Sequence, residues 1–434
     1  MSNIKKRIVS RYKNSRHFLS SLLETQKAGY PAKELVVIGV TGTDGKTTTA
    51  HLIYEILLCA KYKVALISTV GAYLPKGLAL SEHSESNGFV DTGLHTTTPD
   101  AKTLQPLLKR FKEQGITHVV LEVTSHGLDQ HRVLGANFYA GVLTNVTHEH
   151  LDYHKTFENY RKAKSKLFRG VQVAVLNKDD ESFEFFKATS PNNARVVSYS
   201  TKGLADVKAL NILNRPSGLV FSATDNGVGY KITTPLQGTY NASNILAAIG
   251  VARNLGVDWK TIQKAVSSFS GIPGRMEYVK TRPFSVIVDF AHTPNALEKL
   301  LTTLSERKSA KARLIAVFGC AGERDRAKRP MMGEISKKLA DISIFTAEDP
   351  RTEDLNKILS KMLEGAKRVR NTKHKVLRIP DRGAAIERAI KLARKGDIVV
   401  ICGKGHERSM AYGLEEIPWS DQEASKKILL KFKK

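Results

Sequence analysis

A chain of 434 residues is too long for one ordinary hydrophobic core, because domains stop growing near about 250 to 300 residues, so two substantial domains are expected. Its 41% hydrophobic and 25% charged residues are the mix of a globular chain, and no apolar run approaches the roughly 18 residues that a membrane span requires. The 68 basic against 42 acidic residues give a net charge of +26, a field that draws anions of every kind; no helix-turn-helix, zinc-finger or aromatic-bearing RNP pattern accompanies it, so no nucleic-acid partner is expected. Cys59, Cys320 and Cys402 lack metal-ligand spacing and fit a reducing cytoplasm, and the basic start is not followed by the apolar stretch of a signal peptide. A cytoplasmic monomer is expected.

Residues 1–34 stand apart, with eight basic and two acidic residues and with Ile4, Ile8, Tyr12, Leu19 and Leu22 near helical spacing. The pattern reads as a basic amphipathic helix, either lying on an anionic membrane or a partner through residues 1–30, or packed on its own protein with its charges in water.

Leu35 to Val40 reads as a buried strand. It runs directly into Thr41-Gly-Thr-Asp-Gly-Lys-Thr47, and a helix-forming stretch follows from His51 to Ala60. Strand, glycine loop and helix in that order make a phosphate site. Gly42 and Gly45 let backbone N–H groups approach phosphate oxygens, and the helix N-terminus points at the charge. Lys46 is placed for the β- and γ-phosphates and the Thr47 hydroxyl for Mg²⁺, with Thr43, Asp44 and Thr48 completing the nucleotide-binding run. The loop is two residues shorter than the common GxxxxGKS/T form.

Val64 to Ile67, His118 to Val123, Ala140 to Leu143 and Ala174 to Asn177 read as further buried strands separated by helix-length stretches, the pattern of a parallel sheet with crossover helices. Between Val207 and Thr234 the runs become short and alternating with no helix between them, an antiparallel addition, and a helix follows around Asn241 to Asn254. Near Gly271-Ile-Pro-Gly-Arg275 the pattern restarts with a strand at Phe284 to Asp289 and a helix from Pro294. Strands at Ala312 to Phe318, Ile342 to Thr346 and Asp397 to Cys402 come after it. The expected architecture is α/β: a basic extension over 1–34, a P-loop parallel-sheet ATP-binding domain with a small antiparallel addition over 35–271, and a Rossmann-like α/β domain over 272–434.

The shortened loop resembles that of the Mur ligases and their folate-polyglutamate relatives, and further segments resemble Mur motifs in family order. Glu122 to Val133 looks like EVSSHxLxQHRV, Thr144 to His154 like TNLxRDHLDYH with His148-Glu149 in place of Arg-Asp, and Tyr160 to Lys164 like YxxAK. Pro273 to Glu277 looks like PGRME, and Val288 to Leu297 like VDYAHTPDAL. Val317 to Pro330, Glu348-Asp-Pro-Arg351 and Gly403-Lys-Gly-His-Glu407 complete the set. The likeness is greatest to the branch that adds the third amino acid of the peptidoglycan stem peptide.

The resemblance implies an ATP-dependent amide ligation through an acyl-phosphate, with two Mg²⁺ ions. Lys46, Glu122, His150 and Lys164 would be catalytic, with Thr47, Glu122, His150 and Lys164, the last as a carbamate, on the metals. Asn244 is assigned to the purine of ATP, and Arg275, Asp289 and His292 to the rest of the nucleotide. Thr97, Thr98, Thr124, Gln130 and Arg132 would hold a muramoyl-dipeptide acceptor, and Arg324, Asp349, Arg351, Gly403 and Glu407 the incoming diamino acid. Arg351 favours meso-diaminopimelate over L-lysine, although Asp349 stands where the family motif has Asn. The family's first, UDP-holding domain is expected to be missing, which leaves a lipid-linked or other non-UDP acceptor as an alternative. On charge alone the competing reading is a nucleic-acid-stimulated P-loop ATPase.

Overall fold

The structure, a computed structural model, describes residues 3–75, 89–90, 97–225, 227–370 and 373–432, with the backbone alone at 3–13 and 89–90; the side chains of Ile4, Ile8 and Tyr12 lie outside it. The chain forms two compact units. The first is Met1–His148 with His154–Ser270, and the second is Gly271–Lys434 with the short segment Glu149–Tyr153.

In the first unit the valine- and isoleucine-rich runs become parallel strands, since only strands covered on both faces read as nearly continuous apolar sequence. These are β1 (Val36–Thr41), β2 (Val64–Ser68), the short β3 (Gly71–Tyr73) and β4 (Phe89–Val90), β5 (His118–Glu122), β6 (Phe138–Leu143), β7 (Val173–Asn177) and β8 (Arg195–Ser200). The alternating stretch forms β9 (Val207–Arg215), β10 (Gly218–Asp225) and β11 (Val228–Thr234). All eleven make one sheet in the order β11-β10-β9-β8-β7-β6-β1-β5-β2-β3-β4. Strands β7 to β2 across the centre are parallel, and the antiparallel hairpins at both ends continue the same sheet.

Three helices matter for the site and its surroundings: α1 (Asn3–Lys27), α2 (Lys46–Cys59) and α3 (Ala101–Glu113). Helix α2 begins at Lys46, five residues before the stretch read as helix-forming, and its N-cap is Gly45 at φ 81. The threonines Thr47, Thr48 and Thr49 are poor helix formers in isolation. Here the first turn carries the loop-facing N–H groups and packs against the helix Tyr240–Asn254, whose alanine-rich length is almost wholly buried.

The second unit holds β12 (Glu277–Lys280), β13 (Ser285–Asp289), β14 (Leu314–Phe318), β15 (Ile342–Phe345), β16 (Lys375–Arg378) and β17 (Ile398–Cys402) in the order β12-β13-β17-β14-β15-β16. All are parallel except the edge strand β12, and a separate hairpin is made by β18 (Ser409–Tyr412) and β19 (Glu415–Pro418). One face packs on Leu297, Leu301, Met332, Ile358 and Met362, and the other on Ile386, Ile390 and Ile428, so helices cover both sides. Because β17 returns between β13 and β14, the winding reverses there, and a crevice opens at the carboxyl ends of these strands, where open α/β sheets bind ligands. Thr293 caps the helix Pro294–Arg307 by accepting from the Ala296 N–H, and proline at the first turn costs the helix no hydrogen bond.

Arg382 and Asp421 form a fully buried ion pair, with Nη2 to Oδ2 at 2.6 Å and Nε to Oδ1 at 2.8 Å. Arg382 also donates to the carbonyls of Ala347 and Cys402, which joins two helices to two strand ends. Asp421→Ala would leave this guanidinium buried without its bidentate counterion. It is expected to lower the unfolding free energy by about 3 to 5 kcal/mol, read as a lower urea midpoint. An unchanged midpoint would contradict this role. Among the described residues no helix is long and apolar enough to cross a membrane.

Candidate active site

The phosphate loop leaves β1 at Thr41 and is held from outside its own sequence. A Cβ on Gly42, whose φ is 153, would lie 1.8 Å from the Thr144 hydroxyl, so only glycine lets the loop pass. That hydroxyl donates to the Asp44 carbonyl at 2.7 Å. Asn145 pairs with Asp44 on both sides, its Oδ1 accepting from the Asp44 N–H and its Nδ2 donating to the Asp44 carbonyl, each at 3.0 Å. The Thr43 N–H donates to the Asn145 carbonyl at 2.8 Å, and the Thr43 hydroxyl lies 3.0 Å from that of Tyr160. Asn244, assigned by resemblance to the purine, sits at the other end of the loop. Its Oδ1 accepts from the Thr49 hydroxyl at 3.4 Å, and a Cβ on Gly45 would meet it at 2.3 Å. Lys46 donates to the Thr43 carbonyl at 2.9 Å and so curls over the loop that phosphates would occupy.

At the end of β5 the buried Glu122 carboxylate accepts from the Thr47 hydroxyl at 3.0 Å through Oε1. Through Oε2 it accepts from the N–H and hydroxyl of Thr69, at 3.0 and 2.9 Å. Hydroxyls and a carboxylate in one place suit a hard, oxygen-seeking cation. Among the described residues no three His, Cys, Asp or Glu side chains converge as a metal cage, so Mg²⁺ here would rely on Glu122, Thr47 and phosphate oxygens, its usual mode.

The five residues expected on the acceptor join the same network. The Thr69 and Thr97 hydroxyls lie 3.0 Å apart; Thr98 donates to the Glu122 carbonyl at 3.2 Å and accepts from the Thr124 N–H at 2.9 Å. Arg132 donates to the Thr98 carbonyl at 3.0 Å and forks onto Gln130 Oε1 at 2.9 and 2.7 Å, which fixes its guanidinium plane. Sequence reading missed Thr69, Thr144, Asn145 and Tyr160 as site residues. The signal for Thr69 was its place just past the carboxyl end of β2, while Thr144 and Asn145 open a motif read only for its histidines.

Lys164 is buried, and its ammonium donates to the Gly42 carbonyl at 2.6 Å across 122 residues of sequence, 4.5 Å from the Tyr160 ring centre. It therefore reaches the phosphate loop itself. His150, at φ 57, lies in the segment Glu149–Tyr153 that groups with the second unit. In that unit the buried Lys328 meets Glu149 Oε1 at 3.4 Å and donates to the His292 carbonyl at 2.9 Å. Burial pulls Lys328 down, but Glu149 and Glu348 outweigh it and raise its pKa.

Asp289 ends β13, where its two oxygens accept from the Met276 and Ala291 N–H groups at 2.7 Å each, clamping the PGRM turn onto the strand. Burial raises its pKa against the pull of Arg275, whose guanidinium lies over the Phe290 ring at 4.3 Å. His292 Nδ1 is 2.9 Å from the Phe290 carbonyl.

Beyond β15 and β17 the expected amino-acid residues converge. Lys404, buried and missed by sequence reading, lies 2.7 Å from both Asp349 Oδ1 and Glu407 Oε2. The ammonium expected on Asp349 is thus, in this structure, the protein's own. Asp349 also accepts from the Ala411 N–H at 2.9 Å and adopts φ 41, a left-handed conformation that Asn and Asp tolerate better than most residues, which explains why Asp can stand for Asn. Burial raises the pKa of Glu407, opposed by Lys404. Gly403 has a packing reason: a Cβ there would meet Glu348 Oε2 at 2.3 Å. Glu348 is buried, and burial pushes its pKa up to about 7 despite Lys328, Arg382 and Lys404.

Arg351 donates to the Gly322 carbonyl at 2.7 Å. The acid beyond it, Glu353, instead takes Arg329 at 2.7 and 2.8 Å, a pairing that holds its pKa down to about 2. Arg324 is held below its ordinary pKa by burial and by the nearby charge of Arg351. Two guanidinium groups that repel each other beside an acid–lysine–acid trio form a surface for anionic groups flanked by one for a cation.

Comparison with known proteins agrees in family and fold. The model of the Mur ligase middle domain matches residues 40–252, and that of the Mur ligase glutamate ligase domain matches residues 274–405. A protein of Aquifex aeolicus (strain VF5) named UDP-N-acetylmuramoyl-L-alanyl-D-glutamate–2,6-diaminopimelate ligase is 40% identical over 404 residues, 92% of this chain and 79% of its own length. One of the same name from Trichormus variabilis (strain ATCC 29413 / PCC 7937) is 41% identical over 409 residues, covering 92% and 78%. A solved structure of a ligase with that name superposes with a TM-score of 0.61 at 32% identity, over 92% of this chain and 79% of that one. A Mycobacterium tuberculosis folylpolyglutamate synthase shares the fold, with a TM-score of 0.70 at 17% identity and coverage of 91% and 94%. With both domain models matched in order and such identity over most of both chains, the chain belongs to the Mur ligase family.

Proposed function

We propose that this ATP-dependent ligase joins an amine of 2,6-diaminopimelate to a glutamate carboxylate of UDP-N-acetylmuramoyl-L-alanyl-D-glutamate in peptidoglycan synthesis. The reading is carried by the 40% identity, across 92% of the chain, to a ligase named for those substrates. The charge layout of the second unit supports it. Arg324 and Arg351 suit two carboxylates, and the trio of Asp349, Lys404 and Glu407, with two negative charges against one positive, suits an ammonium group.

In this reading the acceptor carboxylate attacks the γ-phosphorus of ATP, and the bond to the β-bridging oxygen breaks to release ADP. The amine then adds to the acyl-phosphate carbonyl, phosphate leaves, and the nitrogen loses its proton. Lys46 and the loop N–H groups neutralise the transferring phosphoryl group, while Thr98, Thr124 and the Gln130-fixed Arg132 orient the acceptor beside it. Bound Mg²⁺ would supply charge neutralisation at Thr47 and Glu122, and a second ion would use a carbamate on Lys164. That modification replaces an ammonium beside the loop with an anionic oxygen donor.

Phosphate release is expected to require acceptor and ATP together, because the acyl-phosphate forms only on a bound carboxylate, and to reach full rate only with diaminopimelate present. An ADP-release assay with each component omitted in turn checks this. Equal rates with and without acceptor would refute the reading.

A further inference from the structure

Helix α1 faces the wrong way for a helix that serves only to pack on its own protein. Among its described side chains the buried positions are Ser21 and Thr25, while Phe18, Leu19, Leu22 and Leu23 are exposed, Leu19 at 57% and Leu23 at 54%. The polar side holds it in place: the Thr25 hydroxyl approaches the Ser21 carbonyl at 2.7 Å and the Leu134 carbonyl at 3.1 Å, and the helix packs on α3. The apolar residues recur at one, four and five positions after Phe18 and so form a single stripe; its Phe18 edge meets the His131 ring at 5.4 Å, while Leu19, Leu22 and Leu23 are turned away from the protein. In the sequence Ile4, Ile8 and Tyr12 keep the same period.

Charge decides what covers that stripe. The helix carries seven lysines and arginines and one acid, Glu24, which Lys27 already engages at 2.9 Å. A second copy would bring two such helices together against their mutual repulsion, whereas an anionic surface takes up the charge. Leucines on one side with lysine and arginine beside them are the pattern of a helix lying in a lipid interface.

We propose that α1 is a docking surface for an anionic phospholipid membrane, with Leu19, Leu22 and Leu23 entering the headgroup boundary and Arg16 among the basic residues meeting lipid phosphates. The contact is peripheral and reversible. It is independent of the ligase reading, since no residue of α1 belongs to the site.

The test uses the full chain and sedimentation with vesicles of phosphatidylcholine alone or mixed with phosphatidylglycerol. Binding is expected only to the mixed vesicles and should weaken with added salt, as screening requires. Leu22→Glu with Leu23→Glu is expected to reduce binding at least about tenfold, and Arg16→Glu by about fivefold or more, at unchanged ligation of a soluble acceptor. No binding to the mixed vesicles, equal binding to both kinds, or full binding by the leucine variant would overturn the proposal. So would a dimer, seen by light scattering, that the same two substitutions dissolve, because the stripe would then belong to a second copy. Lost ligation by the leucine variant would overturn it too, by showing that the stripe supports the fold.

Discussion

Replacing Lys164 with alanine is expected to lower kcat/KM for ligation by roughly two to four orders of magnitude, since metal-borne charge stabilisation supplies several kcal/mol and each 1.36 kcal/mol is tenfold. The side chain is buried, and its nitrogen sits 2.6 Å from the Gly42 carbonyl, at the loop that must receive the γ-phosphate. As an ammonium it braces that carbonyl; as a carbamate it offers oxygen to a cation. Two variants separate these roles. Lys164→Arg keeps a positive donor but cannot form a carbamate, so it should be nearly as impaired as the alanine variant. Lys164→Ala leaves room for a short carboxylate, and added acetate or formate should restore part of its rate. Full activity in Lys164→Arg would show that the ammonium, not a carbamate, is what the site needs.

Arg351→Ala is expected to cut kcat/KM for diaminopimelate by tens- to thousands-fold while leaving lysine use unchanged or improved. Removing one arm of a charge-assisted pair costs about 2 to 5 kcal/mol, much of it from the charge left unpaired. Lysine lacks the second carboxylate, so Arg351 repels its distal ammonium and the variant removes that penalty. The backbone N–H of Arg351 donates to the Ala411 carbonyl, a bond that the alanine variant can still make, while the guanidinium's bond to the Gly322 carbonyl is lost. A change confined to diaminopimelate therefore reports the guanidinium's part in specificity. Steady-state rates with each amino acid at fixed acceptor decide it, and an equal loss for both would remove Arg351 from specificity.

The central strands were legible because burial on both faces leaves valine and isoleucine little competition, as in β1 and β7. The hairpins β3–β4 and β18–β19 were not, being too short for a period of two to stand out. The phosphate loop announced itself, but the reasons for its glycines lay elsewhere: Thr144 and Asn244 touch Gly42 and Gly45 from distant strands and helices, and contacts of that range leave no local signature. Lys404 stood in a quoted motif and was passed over, because a lysine reads as a surface charge until its burial between two carboxylates is seen.

The bracing of the loop also sets an order of events during synthesis. Asn145 reaches the loop 101 residues after Asp44, Lys164 reaches it 122 residues after Gly42, and Asn244 follows Thr49 by 195. At the usual pace of about 5 to 20 residues per second, the last brace emerges roughly 10 to 40 seconds after the loop it steadies. Until then the nascent chain carries the whole glycine-lysine-threonine sequence without the contacts that fix its shape. Nucleotide capture is thereby expected to wait until nearly the whole first unit has left the ribosome. Ribosome-bound chains stalled before Asn244 should accordingly retain far less ATP analogue than chains stalled beyond Ser270.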